Sequence, residues 1–441
     1  MSLAPPITDW RGASTAQREV LLRRPAQANS AATHEAASRI VTAVRSGGDS
    51  ALRRFTQELD GVALDAFEVT PAEFAAADAS LESSASAALD VAIANVRRFH
   101  EAQRLAPLSI DTMPGVRCER LVVPLQAVGL YVPSGSAPLP STAIMLAVPA
   151  LLAECPVRVL ATAPRRDGSA DPAVLSVARR CGVHRVFKVG GAQAIAALAY
   201  GTETLPRVDK IFGPGNAWVT AAKQIVAADP QGAACDLPAG PSEVLVIADD
   251  SARADFVAAD LLAQAEHSPD AQAVLVSNSR ALLEATRREL ERQIASLSRA
   301  AIARQAIVTS RFILVEDLDT ALAVSNAYAP EHLILEIADP RARLGQVTAA
   351  GSVFLGAWSP EPMGDYCSGT NHVLPTYGHA RAWSGLSLLD FSRRITVQEL
   401  TPDGLRALGP TAQRLALLEG LDAHARAVSL RLQVLSERGA A

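Results

Sequence analysis

The chain has 441 residues, room for two or three domains of ordinary size. Hydrophobic residues make up 49% and charged residues 20%, a globular balance, and aromatics at 4% leave Ala, Val, Leu and Ile to build the core. A formal net charge of -5, with Lys and Arg spread along the chain, lacks the dense basic stripe of a nucleic-acid binder.

Taken in chain order, the first hundred residues read mostly as helix, with apolar residues at helical spacing over 36–59 and 71–103. Pro71 suits a first helical turn with Thr70 as its cap. No basic segment followed by an apolar one opens the chain, so no secretory leader is expected. The most apolar stretch, 143–152, is punctuated by prolines and too short to span a bilayer. From about residue 121, short apolar runs alternate with helical patterns. The runs are Val157–Thr162, 185–189, 208–212, Glu243–Ala248, 273–277, 312–315, 333–337 and Ser352–Leu355. Parallel strands need helical crossovers, so this alternation predicts α/β layers, and the number of strands predicts two α/β units, side by side or one inserted in the other. The last stretch, 410–438, reads as one helix or two, free to dock elsewhere or on another subunit. Five scattered cysteines (Cys118, Cys155, Cys181, Cys235 and Cys367) form no CxxC pair. They fit reduced thiols in a cytoplasmic protein better than a disulfide framework or a thiolate zinc knuckle.

Four segments hold residues able to do chemistry. In DLLAQAEHSPD, Gln264 and His267 share a helical face, although a histidine near a helix C-terminus is commonly structural. In APEHL, Glu331 and His332 sit just ahead of an apolar strand. They point apart if extended but reach one cavity from a loop, where a carboxylate and an imidazole suit proton transfer. PMGDYCSGTNHVLPTYG gathers Asp365, Cys367, Asn371 and His372 in what reads as a loop, and Asp and His are zinc ligands. Glu419 and His424, five apart on a helix, read as a solvated face unless they approach a site from the side. Glycine-rich turns at 189–193 and 213–216 follow predicted strands and open helices, where phosphate can bind. A G-x-G-x-x-G fingerprint in that context is missing, and tight turns explain these glycines equally well.

Together, GLYVPSGSAPLPST, KVGGAQAIAALAYGT, KIFGPGNAWV, DLPAGPSEVLVIAD, LLAQAEHSPDAQ, NAYAPEHL, GDYCSGTNHVLPT and EGLDAHARAV resemble the histidinol dehydrogenase family, in the family's order, over roughly residues 30 to 435. The resemblance implies two Rossmann-like, doubly wound α/β domains, a helical N-terminal region and a small C-terminal dimerisation segment. On this chain the domains are an extension over 1–30, a first α/β domain of 31–130 plus 240–381, a nucleotide-binding α/β domain of 131–239, and the dimerisation segment 382–441.

The resemblance also implies roles. Gln264, His267, Asp365 and His424 would bind one Zn2+ per subunit, His424 coming from the partner of a homodimer. Glu331 and His332 would be the acid/base pair. Ser242, His372 and Glu419 would contact substrate, together with the acid/base pair and the metal ligands. Tyr131, Gln193 and Asn216 would contact NAD. The expected reaction takes L-histidinol through L-histidinaldehyde to L-histidine with two hydride transfers to NAD, the last steps of histidine biosynthesis, in the cytoplasm and without nucleic acid or membrane. Two details stand apart. Ser134 occupies a Pro-Ser-Gly turn where Pro-Gly-Gly is common in the family, and a Cys367 thiolate is an alternative route through a thiohemiacetal. Rival readings are a dehydrogenase for another amino alcohol and a metal-dependent binding module without catalysis.

Overall fold

The computed structural model describes residues 5–24, 30–134, 137–238 and 240–439. Gly135 of the Pro-Ser-Gly turn and Ala239 of AGPSE lie outside the described residues. The chain opens with β1 (Ile7–Asp9), α1 (Thr15–Leu22), α2 (Ser30–Phe55), α3 (Pro71–Ser80) and α4 (Ser83–Glu101). Two antiparallel strands follow, β2 (Leu108–Met113) and β3 (Val116–Pro124). Strand–helix alternation then begins with β4 (Ala127–Val132), α5 (Pro140–Leu152), β5 (Val157–Thr162), α6 (Pro172–Arg180), β6 (Arg185–Lys188) and α7 (Gly191–Tyr200). It continues through β7 (Lys210–Phe212), α8 (Ala217–Ala228), β8 (Ala234–Cys235), β9 (Glu243–Ala248), α9 (Ala254–Ala265) and β10 (Gln272–Ser277). Next come α10 (Arg280–Gln293), α11 (Ala300–Thr309), β11 (Arg311–Leu314), α12 (Leu318–Tyr328), β12 (His332–Glu336), α13 (Pro340–Arg343) and β13 (Ser352–Leu355). The chain closes with α14 (Glu361–Tyr366), β14 (Ser392–Leu400), α15 (Pro402–Leu418) and α16 (Asp422–Gly439).

The alternating pattern folds as expected into parallel α/β layers. One sheet has the order β6-β5-β4-β7-β8 and the other β1-β11-β10-β9-β12-β13, and every pairing in both is parallel. In each, the chain runs outward on one side of a first strand, then returns to its other side. That reversal makes both sheets doubly wound. Their strands are apolar on both faces because helices cover both. Along β9, Val244, Val246 and Ala248 join the core under α9, α10 and α11, while Leu245 and Ile247 join the core under α12. The period of two puts alternate residues on opposite faces, and each buried Val, Leu or Ile contributes about 1.5–3 kcal/mol.

The early helices show why local pattern is incomplete. Thr70 caps α3 in a reciprocal box with Glu73, with Pro71 in its first turn, as the sequence suggests. The expected helix over 71–103 breaks, however, because Leu81 and Glu82 take extended backbone. Sequence groups these helices with residues 240–381, but α2 packs on α7 and α8, α3 on α6, and α4 on α5, all flanking the five-stranded sheet. An apolar stripe says that a helix is covered, not by which sheet.

A second compact unit comprises residues 104–124 and those from 392 onward. Its sheet has the order β14-β3-β2, with β14 antiparallel to β3 from Ser392 opposite Pro124 to Leu400 opposite Val116. These strands escape a sequence reading because most of their residues are exposed or half-exposed, so no clean alternation marks them. The C-terminal stretch resolves into two helices, α15 and α16, turning at Gly420 with φ 70°. Among the described residues no helix is long and apolar enough to cross a membrane.

Candidate active site

The loops at the carboxyl ends of β4, β6 and β7 carry the three residues expected to contact a dinucleotide. The crevice between β4 and β7 is where the sheet's winding reverses, the usual place for a nucleotide in such sheets. Tyr131 is the penultimate residue of β4 and is buried, and its hydroxyl accepts a hydrogen bond from the Gly191 N–H (3.1 Å). Burial pushes that hydroxyl up to about 12, so it stays neutral. Gln193, in the first turn of α7, is 1% exposed. Its Nε2 donates to Asp60 (3.2 Å), and its Oε1 has no partner among the described residues. Asn216 caps α8, its Oδ1 accepting from the N–H groups of Trp218 and Val219 (3.1 and 3.2 Å). The Ser134 hydroxyl donates to the Ala163 carbonyl (2.9 Å), which ties this turn to the neighbouring loop.

The Gly213–Pro214–Gly215 turn is held from behind. Gly213 has a φ of 127°, where a side chain would strike the Tyr131 carbonyl. Its N–H donates to Asp236 (2.7 Å) and its carbonyl accepts from Lys223 Nζ (2.8 Å), and Lys223 and Asp236 also pair directly. Both side chains are buried, so removing one charge leaves the other stranded. Lys223→Met is therefore expected to destabilise the protein by about 3–5 kcal/mol, seen as a lower denaturation midpoint. A midpoint unchanged from wild type would mean that the turn does not need the pair.

The second cluster lies at the opposite end of its sheet's strands. Glu243, Gln272 and His332 are the first residues of β9, β10 and β12, and Gln264 lies in the last turn of α9. Ligands usually sit at strand carboxyl ends, so this amino-end site departs from that rule. His332 and Glu331 are 4% and 5% exposed. Glu331 lies one residue ahead of β12, and both side chains reach one place: His332 Nδ1 is 3.8 Å from Glu331 Oε2. The turn before them is strained, because Ala329, a non-glycine, has a φ of 55°, at a cost of about 1–3 kcal/mol. Glu331 Oε2 accepts from the Glu243 N–H (2.9 Å).

His332 also faces two carboxylates of α14. Its Nδ1 is 3.7 Å from Glu361 Oε1, and its Nε2 is 3.4 Å from Asp365 Oδ1. The stretch read as a loop thus contains a short helix that sets Glu361 and Asp365 one turn apart. Glu361 was not singled out by the sequence reading. Its four-residue spacing from Asp365 behind Pro360 and Pro362 is the signal that could have found it. Burial pushes Glu331 up to about 8, with the His332 charge opposing, and burial likewise raises Glu361. Burial disfavours the His332 imidazolium, but Glu361, Glu331 and Asp365 outweigh it and push His332 up to about 10. Burial also acts to raise Asp365, but the neighbouring imidazole holds it below the usual carboxylate range.

Glu361 and Asp365 meet the His267 ring in a geometry that fits a cation. One ligand atom each from His267, Glu361 and Asp365 lies within 4.8 Å of the others. His332 Nε2, Glu361 Oε2 and Asp365 Oδ1 are buried without hydrogen-bond partners among the described residues. The Gln264 amide satisfies its surroundings when its nitrogen faces the Glu243 carbonyl (3.2 Å), Glu361 Oε1 (3.3 Å) and His332 Nδ1 (3.3 Å). Its oxygen then points away from those acceptors. Mixed nitrogen and oxygen donors of this kind suit zinc. The cluster runs from buried Glu361 to exposed His267, so one side opens to solvent.

A cavity of about 50 Å³ links the two halves, lined by Gly213, Pro214 and Gly215 on one side and by Ser242, Glu331 and His372 on the other. His372 is held by the Asp365 carbonyl (2.7 Å from Nδ1) and by Thr142 Oγ1 (3.1 Å from Nε2). Cys367 packs against the core beneath α5, its carbonyl accepting from Asn95 (2.9 Å), which favours a packing role for it. Glu419 and His424 are exposed residues of the second unit, at the end of α15 and the start of α16.

Two doubly wound sheets and a buried imidazole–carboxylate cluster beside a nucleotide-type crevice are the layout of a dehydrogenase-class oxidoreductase. A family model described as histidinol dehydrogenase matches residues 22–432. The histidinol dehydrogenase of Xanthomonas axonopodis pv. citri is 57% identical over 428 residues, covering 97% of this chain and 99% of its own. That of Vibrio vulnificus is 50% identical over 430 residues, covering 98% and 99%. The crystal structure of histidinol dehydrogenase from Elizabethkingia anophelis aligns with a TM-score of 0.93 at 42% identity, over 99% of both chains. The chain belongs to the histidinol dehydrogenase family of oxidoreductases.

Proposed function

We propose that this chain oxidises L-histidinol through L-histidinaldehyde to L-histidine, with two NAD consumed and one zinc ion per subunit, as a cytoplasmic biosynthetic enzyme. The observation that supports this reading is the cavity lined by Glu331, His372 and the Gly213–Pro214–Gly215 turn, which would bring one member of the acid/base pair next to the turn read as nucleotide-binding. Gln264, His267 and Asp365 would hold the zinc, with His424 of the partner subunit entering from the solvent-facing side. Zinc bound there would supply a Lewis-acid anchor for the substrate's imidazole and amine. NAD, held by Tyr131, Gln193 and Asn216 in the 131–239 domain, would supply the hydride acceptor.

In the neutral form that a cation bound by the neighbouring carboxylates would favour, His332 takes the alcohol proton on Nε2, a ring nitrogen buried without a hydrogen-bond partner among the described residues. Glu331 and Glu361, 3.8 and 3.7 Å from Nδ1, stabilise the imidazolium that forms. Glu331 then takes a proton from the water that adds to the aldehyde while His332 gives its proton to the carbonyl oxygen, and the freed His332 takes a hydroxyl proton of the hydrate in the second oxidation. Ser242, His372 and Glu419 orient the substrate. Self-association through the C-terminal segment is supported by exposed apolar side chains on both its sheet and its helices, among them Ile110, Leu121, Ile395, Leu415, Leu418 and Leu430.

The test is NADH formation by zinc-replete protein across a panel of amino alcohols, with Cys367→Ala alongside. The expected result is two NADH per histidinol, little with the other alcohols, and full activity in Cys367→Ala. No NADH from histidinol would overturn the assignment, and an inactive, folded Cys367→Ala would restore the thiolate route.

A further inference from the structure

Arg24 follows α1, far in sequence from every residue of the site. Its side chain is 9% exposed, and that of its partner Glu243 is 2% exposed. The pair is bidentate, Nε donating to one carboxylate oxygen (2.6 Å) and Nη2 to the other (2.8 Å). Nη2 also donates to the carbonyls of Tyr328 (2.8 Å) and Ala329 (3.2 Å), and the guanidinium stacks 3.9 Å from the centre of the Tyr328 ring. The Tyr328 hydroxyl lies 3.0 Å from Glu243 Oε2 and 2.6 Å from Gln272 Oε1.

This network reaches the acid/base pair by two short paths. Ala329, the left-handed residue whose carbonyl Arg24 holds, is two residues from Glu331. Glu243 receives Arg24 on its side chain and donates its backbone N–H to the Glu331 carboxylate. A buried ion pair is a poor device for stability alone, since apolar residues of similar volume often serve better. What the planar fork supplies is direction, because it engages a carboxylate and two carbonyls in one geometry.

We propose that Arg24 is a positioning residue for catalysis: it locks the strained Tyr328–Glu331 turn and Glu243 together, and so holds the Glu331 carboxylate at its working position beside His332. The proposal rests on the reading of Glu331 and His332 as the acid/base pair.

The experiment compares wild type, R24A, R24K, E331Q and R24A/E331Q, with zinc content and thermal unfolding measured for each. R24A is expected to lower kcat by about tenfold or more while KM for histidinol and NAD stays within about twofold and zinc content is unchanged. Added guanidinium ion is expected to restore part of that loss, and R24K, charged but without the fork, to lie between R24A and wild type. On the E331Q background, removing Arg24 is expected to cost little more, because both changes disable the same group. A folded R24A with wild-type kcat, a loss expressed in KM or zinc content, no recovery with guanidinium, or full additivity with E331Q each overturns the proposal. If R24A does not fold, R24K decides: wild-type kcat there means that the fork geometry is not used. An E331Q enzyme with unimpaired turnover would instead defeat the acid/base reading itself.

Discussion

His332→Asn is expected to lower kcat by about a thousandfold, within the usual range for a lost general base, and to slow both oxidations. The His332 imidazole can take a proton on nitrogen while three carboxylates around it, Glu331, Glu361 and Asp365, stabilise the resulting charge. Glu331→Gln is expected to behave differently. The amide oxygen of glutamine can still accept from the Glu243 N–H, so the turn stays in place while the proton acceptor is lost. Single-turnover kinetics started from the alcohol should show a nearly normal first oxidation, and those started from the aldehyde a second oxidation slowed by at least about a hundredfold. If Glu331→Gln slows the first oxidation as severely as the second, Glu331 and His332 do not divide the steps in this way.

Removing the metal is expected to abolish turnover reversibly, and zinc is expected to restore it. Two carboxylates, Glu361 and Asp365, converge with the His267 ring and leave buried oxygens without partners among the described residues, so a divalent cation would supply a partner that the protein alone does not. Zinc should therefore raise the melting temperature of the wild-type protein, as any ligand of the folded state does. Asp365→Ala should lose both the bound zinc and that rise. Glu361→Gln is a finer test. Glu361 faces the Gln264 amide nitrogen and His332, so it orients neighbours of the metal, and its loss should weaken zinc affinity by about 10–100-fold. Metal content after dialysis against a graded chelator reads this directly. Asp365→Ala protein that retains stoichiometric zinc would place the metal elsewhere.

Local rules carried much of the fold. Short apolar runs between turn residues marked β5, β9 and β13 at their observed limits, and most clearly β9, which is buried on both faces and has no polar face to blur the pattern. The Thr70 cap ahead of Pro71 and the turns at Gly191 and Gly213 were equally legible, since each is settled within a few residues. Of the metal and acid/base residues implied by the resemblance, Gln264, His267, Glu331, His332 and Asp365 lie around one imidazole or one prospective cation site, whereas His424 is an exposed residue of the second unit.

Sequence by itself thus determined the alternation of strands and helices, the family, and the chemical types available for proton transfer and metal binding. Tertiary structure alone decided that the cluster forms at the amino ends of strands. That depends on register: β12 lies beside β9 with His332 opposite Val244, and β10 lies beside β9 with Gln272 opposite Glu243. It also decided that Glu361 joins the dehydrogenase cluster from a helix resembling a loop, and that Arg24 reaches Glu243 across 219 residues. Strand alternation and helix caps are energies of neighbouring residues and can be read locally. Register between distant strands and the meeting of buried charges come from packing the whole chain, so no short window of sequence contains them.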